Sequence, residues 1–359
     1  MNEELLSRDI DAMAGAIPDM GKLRGASVLV TGAGGLVGSL AVRALLRADM
    51  LNGLGLTVYA LGRDRRKLEH AVGAESEHLR LFTCDLANEP IPCPGADYVI
   101  HCASPTASSF FCDHPVETAG AILHGTEKIL KHALRYGGAR KIVFVSSIEV
   151  YGEIHEDVLI SESCQGFVDP LQPRSSYPMA KRMAESLCKA YCSEYGVPVV
   201  IARLTQTFGP GVAESDRRVF VQFAKSALGG KDIVLHTPGR SAKPYIYTVD
   251  AVTALFYLLL RGECGIAYNV ANEDTFCSVR QMAELVAGLG KRPVDVVTES
   301  GHESVYPPES RLRLDCSRIR GLGWEASVDL AGMYRRLMDS MDETKRDETC
   351  YDEFKRILA

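Results

Sequence analysis

Between Ser27 and Arg203 the chain repeats one unit six times: a short, almost unbroken run of β-branched and aliphatic residues, then a longer stretch with helical spacing. The runs are SVLVT, LTVYAL, LRLFTC, ADYVIHC, KIVFVSS and PVVIARL. Strands without polar alternation are buried on both faces, and a sheet covered by helices on both faces is parallel. The pattern predicts an α/β fold, a Rossmann-type doubly wound parallel sheet with its ligand beyond the carboxyl ends of the strands. Past Arg203 the chain loosens into loops punctuated by Gly and Pro with a few helices, which predicts a smaller C-terminal lobe closing over a substrate. Before Ser27, Leu5, Leu6, Ile10, Met13 and Ile17 recur at helical spacing as far as Pro18. The expected division is a helical arm over 1–24, the sheet domain over 25–205, and a mainly substrate-binding lobe over 206–359 with segments free to return to the sheet.

At 359 residues the chain has room for such a plan, and its formal net charge of -6 argues against nucleic acid as a partner. The acidic N-terminus has neither a basic leader nor an apolar segment, and the longest apolar stretch, Ala251 to Leu260, falls short of the about 20 residues a membrane span needs. No membrane association and a cytoplasmic location are therefore expected. The 11 cysteines are odd in number and contain no C-x-x-C pair. Cys188 and Cys192 stand one helical turn apart, but two ligands without a third read as core packing, and no metal is expected.

TGAGGLVG, Thr31 to Gly38, directly follows the first strand and opens a helical run. Gly32 allows the tight turn, Gly35 the approach of backbone to a pyrophosphate, and Gly38 the close packing of helix on strand, while the helix start at Leu36 and Val37 supplies amides. This is a dinucleotide-binding loop, and the cofactor expected is NAD or NADP. At the end of the second strand, where a carboxylate ordinarily binds the adenosine ribose, the chain has Gly62-Arg63-Asp64. Arg63 is placed to stack on adenine or meet a 2′-phosphate, or else is a solvated loop charge; Asp64 keeps NAD open.

The fifth strand ends in Ser146-Ser147, and downstream Tyr177 and Lys181 lie four residues apart at the start of a helix. A phenol titrates near 10, too high for a base at neutral pH; an ammonium on the same helix face and an oxidised nicotinamide would lower it. Ser147 would hydrogen-bond the reacting oxygen. A glycine loop on strand one, Ser147 after strand five and Tyr177/Lys181 beyond it form the ordered parts of a hydride-transfer site.

On these motifs the chain resembles the extended short-chain dehydrogenase/reductase family, particularly its nucleotide-sugar epimerases and dehydratases, over about residues 25 to 335. TCDL, VIHCASP, HGT, SSIEVYG, YPMAK, RLTQTFGPG and LGWEASVDL share in the likeness. It implies cofactor contacts at Asp85, Leu86, Cys102, Ala103 and Ser104, a Ser147/Tyr177/Lys181 triad, and a nucleoside-diphosphate sugar as substrate. On the substrate side it points to Ser104, Pro105, Arg174, Gln206 and Lys243, with Arg311 and Arg313 toward the diphosphate. Where the family often has Asn near Ile122, usually Asn at Gln206 and commonly Arg at Lys243, this chain differs. The long helices near Pro115 to Tyr136 and Ser176 to Tyr195 offer outer faces to a second subunit, and a homodimer is expected.

Hydride withdrawal from sugar carbon 4 leaves a ketone, from which hydride return gives a 4-epimer, loss of water a deoxy-keto sugar, and loss of CO2 from a uronate a pentose. Glu149 follows Ser147 by two residues, expected on the same side of an extended segment. Dehydratases of the family place an Asp-Glu pair there, whereas this chain has Ile148 before Glu149. Glucuronate decarboxylases resemble it more closely in that Glu and in the Arg174 that precedes the tyrosine. A UDP-glucuronate decarboxylase is the leading expectation, a 4-epimerase or 4,6-dehydratase the alternatives, and a non-catalytic NAD(P) sensor the competing class.

Overall fold

The computed structural model describes residues 3–154, 158–213, 215–299 and 309–342. All six apolar runs are strands: β1 Ser27–Thr31, β2 Thr57–Gly62, β3 Leu79–Thr83, β4 Tyr98–His101, β5 Lys141–Ser147 and β6 Val199–Leu204. A seventh, β7 Ala267–Val270, arrives from beyond Arg203 and pairs with β6. Across the sheet the order is β7, β6, β5, β4, β1, β2, β3, with every neighbouring pair parallel. Val28 of β1 faces Val58 on one side and Tyr98 on the other. The winding reverses between β1 and β4, so the following helices part to opposite faces and leave a crevice over the strand ends.

On one face the helices Pro115–Arg135 and Ser176–Tyr195 lie side by side over Leu29, Val99 and Phe144. The opposite face carries Leu36–Asn52 and Thr248–Arg261 over Val28 and Val30. Ala251 to Leu260, the longest apolar stretch, is buried inside the second of these helices apart from a half-buried Tyr257. No described helix is long and apolar enough to cross a membrane. The N-terminal helix Glu3–Gly15 packs on this same layer with Met13 fully buried. Its Asp9 accepts hydrogen bonds from the Tyr247 hydroxyl and the Arg336 guanidinium, tying the start of the chain to the helix Leu330–Met341.

Beyond β6 a second, three-stranded sheet joins Gln206–Phe208, Ala242–Tyr247 and Asn272–Ser278, and Arg313–Leu314 pairs with Leu159–Ile160. LGWEASVDL closes onto the helix Thr248–Arg261: Trp324 donates to Thr253, while the Asp250 carboxylate accepts from the backbone of Ser327 and Val328. Of the expected arm and lobe, residues 1–2, 214, 300–308 and 343–359 lie outside the described residues. One local expectation is corrected. Ile148–Tyr151 is a 3-10 turn and not an extended segment, because the Ser147 hydroxyl accepts the Glu149 amide and turns the chain as β5 ends.

Candidate active site

The glycine loop follows β1 without slack. Gly32 has φ 67°, and a Cβ there would lie 2.9 Å from the Ala103 amide nitrogen. At Gly38 a Cβ would stand 2.4 Å from the Gly32 carbonyl, so no side chain fits between helix and loop. Gly35 caps the helix Leu36–Asn52 without a side-chain hydrogen bond, which leaves the amides of Leu36, Val37 and Gly38 without intrahelical acceptors. A cradle that any Cβ would fill, at the start of a helix, suits the pyrophosphate of a dinucleotide.

At the end of β2, Arg63 is exposed, but Asp64 is not free: it caps the helix Arg65–Val72 by accepting the Lys67 amide at 3.0 Å. Across the crevice Asp85 accepts from the Ala87 amide and the Asn88 side chain, and these bonds hold its carboxyl below the usual range, with Arg63 contributing. Leu86 is buried beside Gly125.

At the end of β4 His101 is fully enclosed. Its Nδ1 meets the Thr31 hydroxyl at 2.7 Å and its Nε2 the Thr126 hydroxyl at 3.3 Å, and burial drives its pKa down to about 3, aided by the Lys181 charge. A neutral imidazole here pins strand one, strand four and the HGT helix together under the crevice. Cys102 and Ala103 follow directly against Gly32, and burial raises the Cys102 thiol to about 12. Ser104 spends its hydroxyl on the Pro105 carbonyl at 3.0 Å.

Tyr177 and Lys181 both face this crevice from the helix Ser176–Tyr195, and both are buried. Lys181 Nζ donates to the Val145 carbonyl at 2.8 Å and lies 4.9 Å from the Phe144 ring centroid, on the floor between β4 and β5. Burial lowers its pKa to about 8, against the pull of Cys102 and Glu185. Glu185 is held in turn by the Arg203 fork and by Ser146 at 2.5 Å. The Tyr177 ring stacks on Phe111 at 4.2 Å, and the Ser147 side chain favours the ionised form of the phenol.

Within the chain itself the groups around the phenol act in both directions: burial raises its pKa and the Glu149 charge raises it further, while Ser147 and Arg174 favour its ionised form. The Lys181 ammonium is directed to a backbone carbonyl 36 residues away in sequence. A positive charge set beside the phenol would favour its ionised form.

Glu149 and Arg174, whose charges act on the phenol in opposite directions, form a forked ion pair at 3.0 and 3.2 Å. Lys243 faces the same group: burial lowers its pKa, Glu149 opposes that, and Arg174 and Arg218 add to it. No hydrogen bond or ion pair of Lys243 occurs among the described residues, and Gln206 Oε1, from the neighbouring strand, is a buried acceptor without a donor. Arg311 and Arg313 are exposed and hold their guanidinium groups over Phe276 at 5.6 and 5.0 Å. Phe111 and Arg218, the latter forked to Asp216, escaped the sequence reading because neither sits in a spaced motif.

The sequence profile described as the NAD dependent epimerase/dehydratase family matches residues 28–271. UDP-glucuronic acid decarboxylase 1 of Xenopus tropicalis is 33% identical over 314 residues, 84% of this chain and 69% of that protein. UDP-glucuronic acid decarboxylase 6 of Arabidopsis thaliana is 31% identical over 307 residues, 84% of this chain and 85% of that protein. Among solved structures, epimerase Mth375 of Methanothermobacter thermautotrophicus aligns at a TM-score of 0.76 with 22% identity, covering 96% of this chain and 97% of that one.

Proposed function

This chain belongs to the NAD-dependent epimerase/dehydratase family, and from that premise we propose that it is a UDP-glucuronate decarboxylase. The observation that carries the reading is the Glu149–Arg174 fork beside the phenol, with the unpaired ammonium of Lys243 facing it. Lys243 is half-buried and has no ion pair among the described residues, and the carboxylate of a uronate would give it one.

A nicotinamide dinucleotide held by the glycine loop would supply the hydride acceptor for sugar carbon 4 and a positive charge that favours the phenolate. Tyr177 accepts the proton of the carbon-4 hydroxyl, Ser147 hydrogen-bonds the same oxygen, and Lys181 holds the floor of the site. Once carbon 4 is a ketone, the carboxylate on carbon 5 is that of a β-keto acid. The bond between carbons 5 and 6 breaks, CO2 leaves, and the electron pair passes into the carbon-4 enolate; carbon 5 takes a proton from water, and with the hydride restored to carbon 4 and the Tyr177 proton to its oxygen the product would be a UDP-pentose. None of these steps requires a base at carbon 5. That suits a site in which Ile148 is buried at the dehydratase acid position and Glu149 is engaged by Arg174, whereas loss of water needs a free acid/base pair.

In this reading residues 25–205 hold the cofactor, 206–359 mainly the sugar nucleotide, with Arg311 and Arg313 at the diphosphate and Gln206 at a substrate hydroxyl. The outward faces of Pro115–Arg135 and Ser176–Tyr195 join two copies.

Incubation with UDP-glucuronate is expected to release CO2 and UDP-pentose, and Tyr177→Phe to cut that turnover at least about 100-fold while sparing folding. Cofactor-loaded protein that yields a 4-epimeric uronate, or no product at all, rejects the decarboxylase.

A further inference from the structure

The adenosine end of the crevice carries cations that have no ion pair among the described residues. Gly62 occupies the place of a ribose-binding carboxylate, and a Cβ there would lie 3.0 Å from Cδ2 of fully buried Leu68, so an acidic side chain would crowd the core. The two nearby carboxylates are engaged: Asp64 caps its helix, and Asp85 is bonded to Ala87 and Asn88. Arg65 is consumed by Glu69, Glu75 and the Leu81 carbonyl.

Arg63, Arg66 and Lys67 remain, all exposed and none in an ion pair among the described residues. Their positions differ. Arg63 directly follows β2 at the strand's carboxyl end, and its charge acts on the Asp85 carboxyl. The stem of Lys67 lies against the glycine loop, 3.5 Å from where a Gly34 Cβ would be. A phosphate on the 2′-oxygen of the adenosine ribose falls between the tip of β2 and the glycine loop, within reach of both cations.

We propose that this end of the crevice is a 2′-phosphate subsite, with Arg63 and Lys67 as its ligands, so that the protein prefers NADP(H) to NAD(H). A 2′-hydroxyl finds no carboxylate acceptor here, whereas a dianion gains charge-assisted hydrogen bonds from an arginine and a lysine. The inference rests on the dinucleotide loop and not on which sugar is bound, so it stands or falls apart from the decarboxylase reading.

The test needs no turnover. Nucleotide released by denaturing the purified protein is identified by mass, and protein stripped of nucleotide is titrated with NADPH and NADH by fluorescence. NADP(H) is expected in the released fraction, with NADPH binding at least about 10-fold tighter and losing more affinity than NADH as salt rises. Arg63→Ala and Lys67→Ala are expected to shrink that ratio toward one, with 2′,5′-ADP weakened far more than 5′-ADP as competitor. Released NAD(H), NADH binding as tight as NADPH, or variants that weaken both cofactors alike would overturn the proposal.

Discussion

The negative charge of Glu149 acts on two neighbours in opposite directions: it holds Arg174 in a fork and pushes the Tyr177 phenol up. Replacing it by Gln removes the charge that opposes ionisation of the phenol and frees a guanidinium that favours it, so both changes lower the phenol pKa. A charge several ångströms away at an effective dielectric near 20 is worth on the order of one pKa unit. Because kcat/KM reports the free enzyme, the acid limb of its pH profile is expected to move down by about that amount in Glu149→Gln. An unmoved or raised limb would separate Glu149 from the phenol. At this scale Tyr177 and Lys181 were legible because helical spacing puts residues four apart on one face. The partner of Lys181 was not, since the Val145 carbonyl belongs to a strand 36 residues earlier, and no local pattern records which backbone oxygen a lysine will meet.

Elements were legible where burial on both faces wrote a continuous apolar run, as in the six strands from Ser27 to Leu204. The seventh was hidden by its own chemistry. Ala267–Val270 carries Asn269, fully buried yet polar, with its side chain accepting from the Tyr151 hydroxyl and donating to the carbonyls of Ile160 and Asp315. An amide satisfied by three distant segments breaks the apolar run while strengthening the fold around it. The glycine loop is the opposite case, a motif whose requirement is steric and therefore visible in sequence. Gly38→Ala places a Cβ 2.4 Å from the Gly32 carbonyl, so helix Leu36–Asn52 must retreat from β1. The expected cost is about 1–3 kcal/mol of stability, the scale of overpacking, with cofactor affinity down at least about 10-fold as the helix amides leave the pyrophosphate. A variant that keeps both its unfolding midpoint and its cofactor titration would show that the loop has slack.

At the scale of the whole molecule, one helix carries both the proposed catalytic pair and part of the face proposed for assembly. Tyr177 and Lys181 point inward from Ser176–Tyr195, and a residue two positions further along a helix lies about 200° round its axis. Met179 and Met183 accordingly face outward, 38% and 53% exposed. The adjoining helix adds Val116 at 79% and Leu134 at 39%, apolar residues exposed near its two ends. In the proposed dimer a second copy would present the same pair of helices and bury both faces at once, the isologous arrangement that twofold symmetry requires. Met183→Asp sets two carboxylates close to the symmetry axis, where their burial is unfavourable. Light scattering is expected to give twice the chain mass for the native protein and a value near one chain mass for the variant. Since the disturbed helix also positions the phenol and the ammonium, turnover in the variant is expected to fall while the exposed cations at Arg63 and Lys67 keep their hold on 2′,5′-ADP. A native protein that scatters as a single chain at micromolar concentration would leave those methionines as ordinary surface and remove any role for a partner in holding the site.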